Sequence, residues 1–273
     1  MPTFESLGCR FNYDVVGTGA PTVFIQGTGV HGAGWVPQTA VLADEFACLS
    51  FDHRGMGASQ PTGARVTIAQ LAQDTLALMD VQGWASAHVV GHSLGGLIAL
   101  EVALTARARV RSLALLCTFA RGRDATRLTP AMLWTGLRTR IGTRAQRRLA
   151  FLELVLPSGA HAAPNAAAIA TDLAPLFGHD LADQPPIVMA QLRAMTAYDA
   201  TPRLATLAGV PALVVSAQQD RIAPPALGRA LASGLPGAEY HELAGAAHGM
   251  PISRAAEVNG LLRTHIRRVE AAI

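Results

Sequence analysis

The sequence predicts an α/β fold with a mostly parallel central sheet, flanked by helices and interrupted by a helical insertion. Short apolar runs of strand length alternate with longer helix-like stretches in the first 120 residues, and again after residue 200. The stretch between these two blocks has no clear strand pattern. A serine flanked by glycines lies at a boundary between a strand and a helix, within residues 91–95.

The first block contains strand and helix patterns in alternation. A helix is expected over Thr67–Val81, because its apolar residues recur at helical spacing and Thr67 can cap the N-terminus. Leu94–Thr105 is expected to form a second helix, rich in small residues. The expected strands of this block are Val23–Gln26, Phe46–Asp52, Ala87–Val90 and Val110–Cys117.

The pattern changes between residues 119 and 199, where arginine, alanine and proline are frequent and helices are expected. Strand and helix patterns then resume. We therefore divide the chain into a first core block, residues 1–118, a helical cap insertion, residues 119–199, and a second core block, residues 200–273. The elements expected in the second core block are the strands Val210–Val215 and Ala238–Leu243 and the helices Pro224–Ser233 and Ile252–Val269.

The composition excludes several kinds of chemistry. The chain has 273 residues and no lysine, so its 22 basic residues are all arginine, against 19 acidic residues and a net charge of +3. Without lysine, neither a pyridoxal Schiff base nor a Walker A loop can form. Eleven arginines and one acid lie between Arg107 and Arg148. This basic window lacks interleaved aromatic residues, so we expect a solvated helical face or an anion-attracting lid, and no nucleic-acid partner.

The sequence also indicates where in the cell the protein is expected. The mean hydropathy is +0.28, yet the longest apolar runs, such as Leu113–Cys117, have five residues, whereas a membrane-spanning helix needs about 20. The first residues have no signal-peptide pattern. We expect a cytoplasmic protein with no membrane association. The cysteines, Cys9, Cys48 and Cys117, are expected to be buried free thiols, because their spacing fits neither a disulfide framework nor a zinc site.

The strongest local motif is Gly91-His92-Ser93-Leu94-Gly95, between an expected strand and an expected helix. A tight strand-to-helix turn requires small residues two positions before and after the serine, and it raises the serine hydroxyl above the sheet. The motif therefore predicts Ser93 as a nucleophile and the N–H of Leu94 as an oxyanion-hole donor. The alternative is an ordinary glycine-rich turn with a capping serine.

Two further residues complete a catalytic pattern. Asp220 and His248 each follow an expected strand, and the order along the chain is Ser…Asp…His. A histidine can take the serine proton, and an aspartate can orient the histidine. We predict Ser93, Asp220 and His248 as a catalytic triad.

Other residues compete for these roles or support them. His241 is a rival base, and Asp124 and Asp199 are rival acids. Thr28 follows the strand Val23–Gln26, so its N–H is predicted as the second oxyanion-hole donor.

With these residues identified, the chain resembles the α/β-hydrolase superfamily over roughly residues 1–120 and 200–273. Asp52–Ser59 resembles the D-x-R-G-x-G-x-S loop common in esterases, lactonases and C–C hydrolases of this fold, in which Asp52 is expected to bond backbone amides. The family usually has His-Gly where this chain has Gln26-Gly27, and that histidine supports the oxyanion loop. Gln26 can hold the loop differently, or His31 can compensate.

The resemblance implies a serine hydrolase that cleaves a carboxylic ester or lactone through an acyl-enzyme, with a small-molecule substrate and no metal or organic cofactor. A serine nucleophile argues against haloalkane dehalogenases and epoxide hydrolases, which use aspartate there. Members of the superfamily also use this triad for C–C hydrolysis, acyl transfer or cyclisation, and some bind ligand without turnover. These alternatives stay open.

The insertion is expected to form a helical cap over Ser93 and to select the substrate. Leu133, Trp134 and Leu137 have helical spacing and are candidate substrate-binding residues, with packing inside the cap as the alternative. Few aromatic residues favour an aliphatic or medium-sized pocket, and the arginines allow an anionic substrate.

Overall fold

A mixed sheet of eight strands, in the order β1-β2-β4-β3-β5-β6-β7-β8, lies at the centre of the protein. The computed structural model describes residues 2–61, 65–125 and 130–272. Strands β3 to β8 run parallel to one another, and β2 pairs antiparallel with both β1 and β4. The strands are β1 Thr3–Ser6, β2 Cys9–Val16, β3 Ala20–Ile25, β4 Phe46–Phe51, β5 Ala87–His92, β6 Val110–Leu116, β7 Ala212–Ala217 and β8 Glu239–Leu243.

Helices connect most of the parallel strands, as parallel pairing requires. In chain order they are α1 Val36–Leu42, α2 Ile68–Val81, α3 Leu94–Thr105, α4 Gly122–Ala125, α5 Pro130–Arg138, α6 Arg144–Val155, α7 Ala166–Phe177, α8 Val188–Thr196, α9 Pro225–Gly234, α10 Met250–Ser253 and α11 Ala255–Glu270.

Apolar residues cover both faces of the sheet. Val89 belongs to a buried cluster that includes residues of α2 and α3, whereas the next residue, Val90, belongs to a cluster with residues of α1 and α11. Side chains alternate between the two faces of a strand, so a strand buried on both faces is apolar throughout. This explains the apolar runs Leu113–Leu116 in β6 and Ala212–Val215 in β7.

The predicted α/β fold with a mostly parallel sheet is confirmed. The helix α3 has the predicted bounds, and the side chain of Thr67 caps α2 by accepting from the N–H of Gln70 at 3.1 Å. The single helix expected over Ile252–Val269 is instead two, α10 and α11, which meet at Arg254. The strands β1 and β2 were not predicted, because β1 is short and alternates between exposed and half-buried residues.

The described residues between β6 and β7 contain the helices α4 to α8 and no sheet strand. The two ends of this helical segment lie side by side: Arg121 and Asp199 form an antiparallel bridge, and the N–H of Ala200 donates to the carbonyl of Ala120 at 2.9 Å. The helical segment therefore begins and ends at one place, between β6 and β7. Its own buried cluster includes Leu152 and Phe177.

Within the described ranges, no helix is long and apolar enough to cross a lipid bilayer.

Candidate active site

The turn between β5 and α3 holds Ser93 in an unusual backbone conformation. Its φ is 55° and its ψ is −117°, a combination that costs energy for a residue with a side chain. A Cβ atom at Gly91 would lie 2.3 Å from the carbonyl oxygen of Gly95, and one at Gly95 would lie 2.1 Å from that of Ile25. Both glycines of the motif are therefore needed for the chain to pass through this turn.

The backbone of Ser93 is fixed on both sides. Its N–H donates to the carbonyl of Leu116 at 2.9 Å, and its carbonyl accepts from the hydroxyl of Thr118 at 2.7 Å. Ser93 directly precedes α3, so the N–H of Leu94 lies at the positive end of that helix. An anion that forms at the Ser93 side chain would be stabilised there.

His248 and Asp220 form a buried pair. The Nδ1 atom of His248 lies 2.7 Å from Oδ2 of Asp220, and the two side chains are 8% and 0% exposed. The other carboxylate oxygen accepts from the N–H groups of Ile222 and Ala223, both at 2.8 Å. Burial alone raises the pKa of Asp220, but the His248 ring and the bonds that the carboxylate accepts hold that pKa below its usual value. Asp220 is therefore ionised and keeps the proton of His248 on Nδ1.

Ser93 and His248 line one cavity, of about 170 Å³. Among the described residues, the Ser93 hydroxyl makes no hydrogen bond, and catalytic hydrogen bonds are often long before substrate binds. Thr28 also borders the cavity, whereas Asp220 lies behind the His248 ring. The structure thus brings Ser93, His248 and Thr28 to one space, with Asp220 in support.

The cavity wall is mostly apolar. Ile222 and Ile252 come from the second core block, and the helical segment contributes side chains from α6, α7 and α8. No arginine of the described residues is among the lining side chains. The apolar residues contributed by the helical segment are Phe151, Leu154, Val155, Phe177, Leu192 and Met195.

His92, inside the serine motif, supports His248. Its Nε2 lies 2.9 Å from the backbone carbonyl of His248, so that nitrogen carries the proton and donates it. Burial and the nearby His248 ring lower the pKa of His92 to about 3, so the ring is neutral at physiological pH. Sequence reasoning gave His92 no such role, because nothing in the sequence pairs it with a loop 156 residues away.

The loop after β3, the predicted oxyanion loop, departs from the family pattern at Gln26. Its backbone carbonyl accepts from Nε2 of His53 at 2.9 Å, and its side-chain oxygen accepts from the N–H of Gly27 at 3.2 Å. His31, the suggested replacement for the missing histidine, instead lies 3.7 Å from Asp52. His53 is therefore the histidine that holds this part of the loop.

The loop that begins at Asp52 has a structural role. As expected, Asp52 accepts from a backbone amide, the N–H of Gly32, at 2.8 Å. Arg54 forms a bidentate, fully buried ion pair with Asp74, at 2.6 and 2.7 Å. These contacts tie the loop to α2 and to the segment before α1.

The rival residues lie elsewhere. His241 contacts Glu239 at 2.6 Å, and Asp124 pairs with Arg121 at 2.8 Å. The carboxylate of Asp199 accepts from the N–H of Thr201. None of the three rivals borders the cavity that holds Ser93.

The structure does not bring Leu133, Trp134 and Leu137 to the cavity. They lie on α5 with 56%, 58% and 46% of their surface exposed, and the cavity lining does not include them. Among the described side chains of α5, the buried one is Thr135, and Thr139, directly after the helix, is buried as well. Helical spacing had identified a common face of the helix, but it could not tell which side of that helix faces the protein.

Several arginines of the helical segment pair with acids in the same segment. Arg138 lies 2.9 Å from Glu153, and Arg144 bridges Asp180 and Asp183. Their charges are thus balanced locally.

Three buried side chains near the triad could in principle bind a metal ion. The potential ligand atoms of His92, Cys117 and His248 lie within 4.8 Å of one another. However, His92 Nε2 and His248 Nδ1 already bond to protein oxygens. Burial and the adjacent Asp220 raise the pKa of the Cys117 thiol well above its usual value, which disfavours the thiolate that a metal needs. The protonated Cys117 thiol therefore does not fit a metal centre at this place.

Comparison with known proteins agrees with this architecture. A family model described as the alpha/beta hydrolase fold matches residues 21–255. A relative from Azorhizobium caulinodans, named "Putative carbamate hydrolase RutD", is 32% identical over 252 residues, which cover 91% of each protein.

Two solved structures extend the comparison. The enol-lactonase from Burkholderia xenovorans LB400 matches with a TM-score of 0.80 and 29% identity, covering 97% of this chain and 100% of the other. Est816, described as an N-acyl homoserine lactone degrading enzyme, matches with a TM-score of 0.80 and 26% identity, covering 96% of this chain and 99% of the other. The sheet order, the turn at Ser93 and the family match together show that this chain belongs to the alpha/beta hydrolase fold family.

Proposed function

We propose that the protein hydrolyses a carboxylic ester or lactone through an acyl-enzyme on Ser93. The observation that carries this proposal is the 2.7 Å contact between Nδ1 of His248 and the buried carboxylate of Asp220. With Nδ1 bonded to Asp220, Nε2 is the nitrogen left to accept the proton of Ser93.

In the proposed acylation step, His248 takes the hydroxyl proton and the oxygen of Ser93 bonds to the carbonyl carbon. The electron pair of the carbonyl moves to its oxygen, where the N–H groups of Thr28 and Leu94 stabilise the charge. The carbonyl then re-forms, and the bond to the alcohol oxygen breaks. His248 gives its proton to that alcohol, while Asp220 stabilises the ring during its charged stage.

Deacylation repeats these steps with water. His248 removes a proton from water, and the resulting hydroxide adds to the acyl carbon. The Ser93 oxygen leaves, takes the proton back from His248, and the acid is released. Each residue returns to its starting protonation state.

The substrate is proposed to be small and neutral with an aliphatic acyl portion. The apolar lining supports this, as does a cavity volume of about 170 Å³. Two structural relatives, an enol-lactonase and an N-acyl homoserine lactone degrading enzyme, favour lactones within the ester class.

A carbamate is the second candidate substrate, because a relative that shares 32% identity over most of the chain carries that name. A carbamate has the same electrophilic carbon between oxygen atoms, with a nitrogen as the third substituent. The same triad can therefore attack it.

The first experiment is labelling with a fluorophosphonate, followed by mapping of the adduct. In the native protein we expect the label on Ser93. In the Ser93→Ala variant we expect no labelled serine. A folded protein that is not labelled, or is labelled elsewhere, contradicts the mechanism.

The substrate class is then tested with matched panels of aryl esters, lactones and carbamates of increasing acyl length. We expect turnover of short neutral esters or lactones, and complete loss in Ser93→Ala. Adding an alcohol to the assay separates acyl transfer from hydrolysis, because a transferase forms a new ester. Ligand binding without turnover by the native protein would exclude hydrolysis.

A further inference from the structure

The peptide group that carries the proposed oxyanion donor, the N–H of Thr28, lies between peptide groups that are each held by a hydrogen bond. On the N-terminal side, the carbonyl of Gln26 is held by His53. On the C-terminal side, the contacts come from a distant part of the chain. The oxyanion loop thus has supports on both sides of Thr28.

Two side chains of the helical segment hold Gly29. The N–H of Gly29 donates to Oε1 of Gln191 at 2.9 Å, and the carbonyl of Gly29 faces Nε2 of His179 at 2.8 Å. Gly29 has φ of 71°, in the region that glycine tolerates best. Both peptide groups that follow Thr28 are therefore oriented by residues 150 or more positions away.

The side chain of Gln191 makes a single hydrogen bond among the described residues, the one from the N–H of Gly29. Its side chain is fully buried on α8. Because the N–H of Gly29 is a donor, the carboxamide atom that faces it must be the oxygen. The remaining Nε2 has no hydrogen-bond partner among the described residues. A buried amide with an unpaired N–H is unfavourable for folding, so the bond to Gly29 is the contribution that distinguishes Gln191 from an apolar residue.

We infer that Gln191 and His179 are positioning residues, which hold Gly29 so that the adjoining N–H of Thr28 faces the developing oxyanion. This inference rests on the proposed function, in which Thr28 supplies that N–H. Neither residue lines the cavity, so both act through the backbone.

The same helix also shapes the pocket. Leu192 and Met195, which follow Gln191 on α8, line the cavity. One rigid element therefore contacts both the substrate space and the oxyanion loop. We expect Gln191 to stabilise the transition state, in which negative charge develops at the carbonyl oxygen of the substrate. Its effect on the binding of the substrate in the ground state is expected to be small.

The test replaces Gln191 by methionine, which keeps the length of the side chain and removes the acceptor. For the best ester substrate, kcat is expected to fall about 10- to 100-fold, with KM changed less than about twofold. A trifluoromethyl ketone gives a sharper readout. The hydroxyl oxygen of Ser93 adds to the carbonyl carbon of the ketone, the hydroxyl proton passes to His248, and the ketone oxygen becomes an oxyanion. Its inhibition constant is expected to rise by the same factor as kcat falls.

Arg193→Met is the matched control, because Arg193 is exposed on the same helix and receives the same new side chain. It is expected to keep native kcat, KM and ketone affinity. His179→Leu removes the second contact on Gly29 and is expected to change kcat and ketone affinity in the same direction as Gln191→Met. If Gln191→Met does not fold, as judged by circular dichroism, His179→Leu carries the test.

Unchanged kcat and ketone affinity in a folded variant overturn the inference. A change in KM alone, with ketone affinity intact, overturns it as well, because that pattern indicates altered substrate packing. Fluorophosphonate labelling of the native protein separates failure of the positioning role from failure of the proposed function. A labelled native protein with unaffected variants contradicts the positioning role only, whereas an unlabelled native protein contradicts the proposed function itself.

Discussion

His92 illustrates how much of the site depends on residues that the serine motif does not specify. Its neutral ring donates to the backbone of the His248 loop, and the two rings lie 4.8 Å apart. The sequence allowed Ser93, Asp220 and His248 to be selected as candidates, because each follows a strand. It could not identify His92, His53 or Gln191 as supports, since their partners are fixed only when distant segments meet.

The role of Asp220 can be tested at this scale with Asp220→Asn. Asparagine preserves the shape and an oxygen for the N–H groups of Ile222 and Ala223, but its amide donates towards His248 and favours the wrong tautomer. We expect kcat to fall by about 10³- to 10⁴-fold, with the fold retained. Steady-state kinetics with the best ester or lactone measures this.

Asp124→Asn is the control, because Asp124 pairs with Arg121 away from the cavity. It is expected to keep native kcat. If the losses were reversed between these two variants, Asp124 would be the acid of the triad.

Among the elements, those buried on both faces were the most predictable. Most residues of β4, β5, β6 and β7 are buried, and their apolar runs identified the bounds of these strands to within about two residues. The two N-terminal strands escaped prediction for different reasons. The strand β1 has only four residues, and β2 alternates buried and exposed residues only in its first half. The orientation of α5 also could not be predicted, because its apolar residues Leu133, Trp134 and Leu137 are exposed, whereas Thr135 is buried.

Glycines in two helices should respond in opposite ways to substitution by alanine. A Cβ at Gly260 in α11 meets no atom within 4 Å, whereas one at Gly95 in α3 would lie 2.1 Å from a backbone oxygen. Gly260→Ala is expected to stabilise the protein by about 0.5–1 kcal/mol through reduced entropy of the unfolded chain, with unchanged activity. Urea denaturation measures this difference.

Gly95→Ala is expected to abolish activity and to lower stability, because the turn at Ser93 and β3 must move apart. An active Gly95→Ala enzyme would show that the turn is less crowded than the contacts indicate. A Gly260→Ala variant that is less stable than the native protein would contradict the open space found beside Gly260.

The whole molecule carries several buried histidines whose pKa values are shifted downward. Burial lowers the pKa of His53, His88, His92 and His265, to about 3 for His92 and about 4 for His265. In the unfolded chain these rings titrate near 6.5. Below that pH the unfolded state binds more protons than the folded state, so stability decreases as the pH falls from about 6.5 towards the folded values.

We therefore expect acid sensitivity well above the range in which carboxylates titrate. At pH 5, His92 and His265 each reduce the free energy of unfolding by about 2 kcal/mol relative to pH 7.5. The melting temperature is expected to fall by roughly 10 °C over this interval. Differential scanning calorimetry at the two pH values measures the change.

His265→Gln provides the comparison, since His265 lies away from the cavity that holds Ser93. This variant should lose less stability between pH 7.5 and pH 5 than the native protein. Equal losses in the two proteins, or a melting temperature that does not change with pH, would contradict the assignment of acid sensitivity to buried histidines.

The paired ends of the helical segment have a consequence for how such enzymes can diversify. Because the two ends of the segment adjoin at Ala120 and Ala200, a segment of different length or sequence can be exchanged there without altering strand order. The bond from Gly29 to Gln191 limits that freedom. If Gln191 has the proposed positioning role, a transplanted segment that reshapes the pocket must also bring an acceptor for Gly29, and a change of substrate would then come with a change in catalytic rate.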